Sequence, residues 1–165
     1  YKLKDENDTN YFIKGYIDRF DNLENQVNII DYKSKKANSV SQEKLDEIKD
    51  FKDFQLGLYT LYATQEYKKD VDSYLLTFKS TSDYVEFARV TTKNSLVLKI
   101  GKNKDSAVWY DKEYRTNLKE NIKLNKEKIE QGDFRFDCSN DEYCGYCEIG
   151  FMCNKSLLSK GKIDE

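Results

Sequence analysis

The sequence predicts a single α+β domain, on three observations: two alternating segments joined by a short polar link near the start, further alternating segments between residues 71 and 100, and two stretches of helical periodicity. Residues 11 to 20 (YFIKGYIDRF) and 26 to 34 (QVNIIDYKS) alternate closely enough to be strands, and the polar DNLEN between them makes the pair a hairpin. Residues 34 to 50 are polar, and Ser39 with Gln42 forms a candidate capping box ahead of a helix whose stronger part runs from about Asp53 to Tyr67. Gly57 weakens that helix, because glycine gives up the most backbone freedom on ordering. VDSYLLTFKS (71 to 80) and YVEFARV (84 to 90) follow as a strand pair around a short TSD turn, with SLVLKI (95 to 100) as a candidate further strand. From Ser106 to Gln131 the pattern turns helical, with Tyr110, Tyr114, Leu118, Ile122 and Ile129 on one stripe and charge opposite. Gly132 is placed to stop it. The final dozen residues, NKSLLSKGKIDE, read as a frayed tail, which leaves 1–153 as the domain and 154–165 outside it.

Composition limits what such a domain does. A chain of 165 residues is long enough for one real core and short for two. Charged residues make up 35% of it, yet the net charge is only -2, so bulk charge names no partner. The absence of proline and the 13 tyrosines look like the coding bias of an AT-rich genome and carry no function. No window approaches the roughly 18 apolar residues of a spanning helix, and the start lacks the order of a secretory signal, so the reading is a soluble, cytoplasmic protein. Tyr1 is not a start methionine, and a piece of something longer is expected.

The hairpin carries the chemistry. If it turns around Glu24 and Asn25, Asp18 falls opposite Asp31. Side chains alternate along a strand, so Lys33 shares a face with Asp31, Ile29 and Val27, while Ile30 and Tyr32 point the other way. Two carboxylates facing each other on a half-buried sheet destabilise it unless one is protonated or a cation lies between them. A hard divalent ion such as Mg²⁺ or Mn²⁺, held by both acids with waters and a substrate phosphate, removes the repulsion. Lys33 is then placed to orient or deprotonate an attacking water, or to offset charge growing on the phosphate. That chemistry is phosphodiester hydrolysis. An acid-x-Lys triplet by itself is common on solvated hairpins, so the wider order of residues matters.

That order is Gly15-x-Ile17-Asp18-Arg19-x-Asp21, then Ile29-Ile30-Asp31-Tyr32-Lys33, then Gln55-x-x-x-Tyr59, whose last two members a helix presents on one face. It resembles the PD-(D/E)XK nuclease superfamily, and within it the RecB-type exonuclease domains of RecB and AddB subunits of helicase–nuclease complexes. The resemblance runs from about residue 11 to 153. It implies a restriction-endonuclease-like mixed central sheet flanked by helices, with Asp18 and Asp31 as metal-binding acids, Lys33 as the catalytic lysine, and Gln55 and Tyr59 contacting the DNA strand near the scissile phosphate. It implies DNA as substrate, Mg²⁺ or Mn²⁺ as cofactor, and a helicase region or partner subunit of a repair complex. The family also carries a Glu or His on a helix upstream of the first aspartate; this chain has no His, and that helix is expected to lie outside this sequence. A catalytically degenerate fold that binds or scaffolds DNA is the alternative this departure raises.

All four cysteines, Cys138, Cys144, Cys147 and Cys153, fall within sixteen residues. In a reducing cytosol such a cluster points to metal ligation before disulfides, and four thiolates suit zinc or a 4Fe–4S cluster alike. Free buried thiols are the remaining reading. Cys144, Cys147 and Cys153 are similar to the C-terminal half of the iron–sulfur clasp of AddB-type nucleases, whose fourth cysteine comes from far upstream; here the fourth ligand is either Cys138 or an upstream cysteine expected outside this sequence. Such a clasp fastens the C-terminal segment and takes no part in the reaction. Trp109, Tyr110 and Tyr114 read as core packing before base stacking, because they follow the apolar stripe. Lys99, Lys102 and Lys104 read as a solvated loop before a phosphate contact.

Overall fold

The computed structural model describes residues 2–4, 10–36, 40–78, 84–93 and 106–133. In chain order the elements are β1 (Lys2–Lys4), β2 (Asn10–Phe12), β3 (Arg19–Asn22), β4 (Gln26–Lys36), α1 (Gln42–Lys49), α2 (Gln55–Tyr67), β5 (Asp70–Phe78), β6 (Tyr84–Thr91), β7 (Val108–Trp109) and α3 (Lys112–Glu130). The chain divides into two compact units, Tyr1–Asn125 and Lys126–Glu165. Of the second, the described part is the end of α3, with an i,i+4 ion pair between Lys126 and Glu130, and the residues up to Asp133.

In the first unit the strands form a five-stranded sheet of order β3-β4-β5-β6-β7 and a two-stranded one of order β1-β2. β3 and β4 are antiparallel, as are β5 and β6, while β4 with β5 and β6 with β7 run parallel. This is a mixed sheet. The β4 to β5 connection carries both α1 and α2, as a parallel pair requires a crossover. Val27, Ile29, Val71 and Ala63 of α2 form one buried cluster, and Leu75, Ala88, Val90 and Val108 form another with Leu45 and Ile48 of α1, Leu56 and Leu61 of α2, and Tyr114 and Leu118 of α3. Thr60, fully buried on α2, shares a hydrogen bond with Ser73 of β5 at 2.8 Å, so the helix and the sheet are also joined by polar groups. Asp72, buried on the other side of β5, accepts from Thr91 Oγ1 at 2.5 Å and Gln26 Nε2 at 2.9 Å. A buried charge of this kind persists only with such donors.

Three expectations from sequence are corrected. The segment 11–20 is not one strand: β2 ends at Phe12, β3 begins at Arg19, and the residues between form a loop. Its end at Arg19 has a local cause, since the Tyr32 amide donates to Asp18 Oδ2 at 2.8 Å, a side chain standing where a ladder carbonyl would. The polar stretch before Asp53 is a separate helix. Ser41 caps α1 by accepting from the Lys44 amide at 3.2 Å, whereas Ser39 lies outside the described residues. Phe51, at φ 55, turns the chain between α1 and α2, and its ring is held against Tyr114, with centroids 5.1 Å apart. The last helix starts at Lys112, with Val108–Trp109 a short edge strand, because Tyr110 donates its amide to Thr91 at 2.8 Å and stays with the sheet.

Other expectations hold. α2 ends at Tyr67, the strand pairs fall at Asp70–Phe78 and Tyr84–Thr91, and Gly132 sits at φ 68 just past α3. Tyr110 and Tyr114 are buried core residues rather than stacking surfaces, while Ile129 is exposed. SLVLKI, the lysines at 99, 102 and 104, and the four cysteines lie outside the described residues. Among the described residues no helix is long and apolar enough to cross a membrane.

Candidate active site

The register sets the site. Arg19 lies opposite Ile30 and Asn22 opposite Val27, which is the pairing the hairpin reading requires, with Asp18 one residue beyond the end of the ladder. Val27 and Ile29 are fully buried under α2, so Asp31, two residues further on the same face, is carried beneath the first turn of that helix. Asp31 is 4% exposed. Lys33 follows two residues further along β4, its side chain 37% exposed, with its ammonium 2.5 Å from Asp31 Oδ2.

Gln55, the first residue of α2, joins the two. Its amide nitrogen donates to Asp31 Oδ1 at 2.6 Å, and its oxygen accepts from Lys33 Nζ at 2.9 Å. The same nitrogen donates to Tyr59 Oη at 3.0 Å, one turn along, and Tyr59 in turn donates to the Tyr16 carbonyl at 2.6 Å. Asp53 sets the position of Gln55 by accepting its backbone amide at 2.8 Å, satisfying one of the amides that a helix start leaves open. The other Asp53 oxygen pairs with Lys44 of α1 at 2.6 Å, and Lys44 also reaches Glu47 at 2.7 Å. Burial works against the Lys44 charge, but Asp53 and Glu47 outweigh it and hold its ammonium above the ordinary lysine range. The helix end that carries Gln55 is thereby tied to α1 and to β4 alike.

Of the residues singled out from sequence, Asp31, Lys33, Gln55 and Tyr59 form one connected cluster. Asp18 is exposed, and its carboxylate is bonded to the amide that follows Asp31 in the chain. Sequence reasoning passed over Asp53, whose signal was an acid just before a helical run, and the carbonyl of Tyr16, which has no sequence signal. Beside Lys33 in register lies Thr77, buried, with a hydroxyl that has no hydrogen bond among the described residues. A cavity of about 480 Å³ adjoins the cluster, between Ile13, Gly15 and Ile17 of the loop and Gln55, Tyr59 and Tyr62 of α2.

The residues fit a hard divalent ion. Asp31 Oδ2 is buried with the Lys33 ammonium 2.5 Å from it. A buried carboxylate that already faces a cation at that oxygen is the kind of hard donor a divalent ion takes. Among the described residues no group of three or more His, Cys, Asp or Glu gathers to form a closed cage. An ion with two carboxylates that keeps waters and a substrate phosphate needs none.

No curated protein and no solved structure is significantly similar to the chain. The family model of the PD-(D/E)XK nuclease superfamily matches residues 3–154, which takes in both strands of the acidic hairpin, the helix bearing Gln55 and Tyr59, and the cysteines up to Cys153. The superfamily is one of nucleases, typically hydrolases that use divalent metals such as Mg²⁺ on DNA. A mixed five-stranded sheet flanked by helices is consistent with its restriction-endonuclease-like fold. With 152 of its residues under that match, the chain belongs to the PD-(D/E)XK nuclease superfamily.

Proposed function

We propose that this chain is the metal-dependent DNA exonuclease domain of a helicase–nuclease repair protein of the RecB/AddB kind, acting in the cytoplasm. One observation carries the reading: the Gln55 amide grips the Asp31 carboxylate and the Lys33 ammonium together, at the start of the helix that also presents Tyr59. The subtype rests on the order of the motifs, Gly15 to Asp21, Ile29 to Lys33 and Gln55 with Tyr59.

In this reading Asp31 and Asp18 hold Mg²⁺ or Mn²⁺, which when bound supplies Lewis-acid polarisation of the scissile phosphate. Lys33, half-exposed and fixed by Gln55, orients or deprotonates the attacking water, or offsets charge that builds on the phosphate oxygens. Gln55 keeps the Lys33 ammonium within reach of the reacting centre, and Tyr59 holds Gln55 from behind while facing the cavity. Cys138, Cys144, Cys147 and Cys153 complete the reading as a clasp holding a 4Fe–4S cluster or zinc, supported by their spacing alone.

The test is Lys33→Ala with Mg²⁺ or Mn²⁺ and end-labelled DNA. Cutting is expected to fall by about 10²- to 10⁴-fold, the usual weight of a proton-transfer group, with DNA binding retained. Binding by the unaltered chain without any cutting assigns it the degenerate, scaffolding role instead.

A further inference from the structure

The loop between β2 and β3 has two sides of different character. Ile13 and Ile17 turn inward and pack against the two core clusters, and Gly15 lies where an added Cβ would come within 3.9 Å of the Tyr59 ring. Lys14 and Tyr16 between them, and Phe12 at the end of β2 just before, are exposed. Phe12 is 82% and Tyr16 80% exposed, and the exposed Lys14 stands between them with its ammonium 6.0 Å from the Tyr16 ring centroid. A single exposed aromatic is ordinary. Two, four residues apart around a lysine and beside the packed Ile13 and Ile17, are less so.

We infer that Phe12, Lys14 and Tyr16 form a stacking ledge that takes single-stranded DNA and feeds it to the Asp31–Lys33 cluster; this rests on the nuclease reading above and names its substrate class. Unpaired bases offer their faces to aromatic rings, whereas paired bases are already stacked on each other. Lys14 supplies the charge that a backbone phosphate meets. The ledge is joined to the reacting groups without a gap: the Tyr16 carbonyl accepts from Tyr59, Tyr59 accepts from Gln55, and Gln55 holds Asp31 and Lys33. A base stacked on Tyr16 therefore lies on the same rigid chain of contacts that positions the metal-binding acid.

The experiment is fluorescence anisotropy of the full chain with a labelled oligothymidine and with a blunt duplex of equal length, in EDTA. Without metal, a chain that cuts nothing still answers the question, so failure of the ledge and failure of the catalytic reading are told apart. Phe12→Ala and Tyr16→Ala are each expected to weaken single-strand binding by about tenfold, from a stacking loss of about 1–3 kcal/mol per base, and to leave duplex binding and the melting temperature unchanged. Tyr16→Phe keeps the ring and is expected to bind like the unaltered chain. Unchanged single-strand affinity in both alanine variants, an equal loss on duplex, or no single-strand binding by the unaltered chain overturns the inference.

Discussion

At the scale of single residues, burial decides what each polar group can do. Asp31, at 4% exposure, depends on Gln55 and Lys33, whereas Asp18 is solvated and satisfied by one amide. Sequence placed Asp31 and Lys33 on one face of β4 because strand alternation is a local rule that survives folding, whereas Asp18 lies just outside β3. Nor did sequence foresee that the Asp18 carboxylate would replace a ladder bond, since that depends on where the loop before it is tied. Tyr114 shows the same principle away from the site. Burial pushes its phenol above the usual value of 10.0, with smaller contributions from Tyr110 and Asp53, and its hydroxyl donates to the Ile48 carbonyl at 3.3 Å. Because the folded-state value is raised, this group leaves stability intact below about pH 10 and removes it as pH rises toward the folded value, where the unfolded chain alone ionises. Tyr114→Phe is expected to lose about 1 kcal/mol at neutral pH with its hydrogen bond, and to show a shallower alkaline fall in urea midpoint.

At the scale of elements, the two long connections were the hardest to foresee. The existence of α2 and of the β5–β6 pair followed from periodicity, as did the Gly132 stop, because 13 and 9 residues of consistent pattern outweigh local noise. The break between α1 and α2 did not, since a left-handed Phe51 held by Phe54 and Tyr114 is a tertiary effect with no composition cue. Gly57 looked like a weak point in the helix and proves to be a contact: a Cβ there would lie 2.9 Å from Tyr114 Oη and 3.3 Å from Leu118. Alanine gains about 1 kcal/mol in helix propensity, but overpacking a core typically costs about 1–3 kcal/mol. Gly57→Ala is therefore expected to destabilise by about 1 kcal/mol in chemical denaturation. The loss should shrink in a Tyr114→Phe background, where the nearer of the two clashing groups is gone.

At the scale of the whole molecule, the mixed sheet exists to bring distant segments of chain to one corner. The crossover of α1 and α2 between parallel β4 and β5 sets Gln55 over Asp31, 24 residues earlier, and Tyr59 over the Tyr16 carbonyl, 43 residues earlier. The sequence put Gln55 and Tyr59 on one helix face and, by resemblance, near the scissile phosphate, but foresaw neither pairing, because both depend on how the crossover packs on the sheet. That corner is the functional centre if it holds a divalent ion, and titration calorimetry with Mn²⁺ asks this most directly, on the unaltered chain, Asp31→Ala and Asp18→Ala, each checked for equal folding by circular dichroism. Heat of binding in the unaltered chain that disappears in either variant is the expected result. Identical titrations from all three proteins would contradict a metal site at the paired acids and leave the cluster as a structural ion pair.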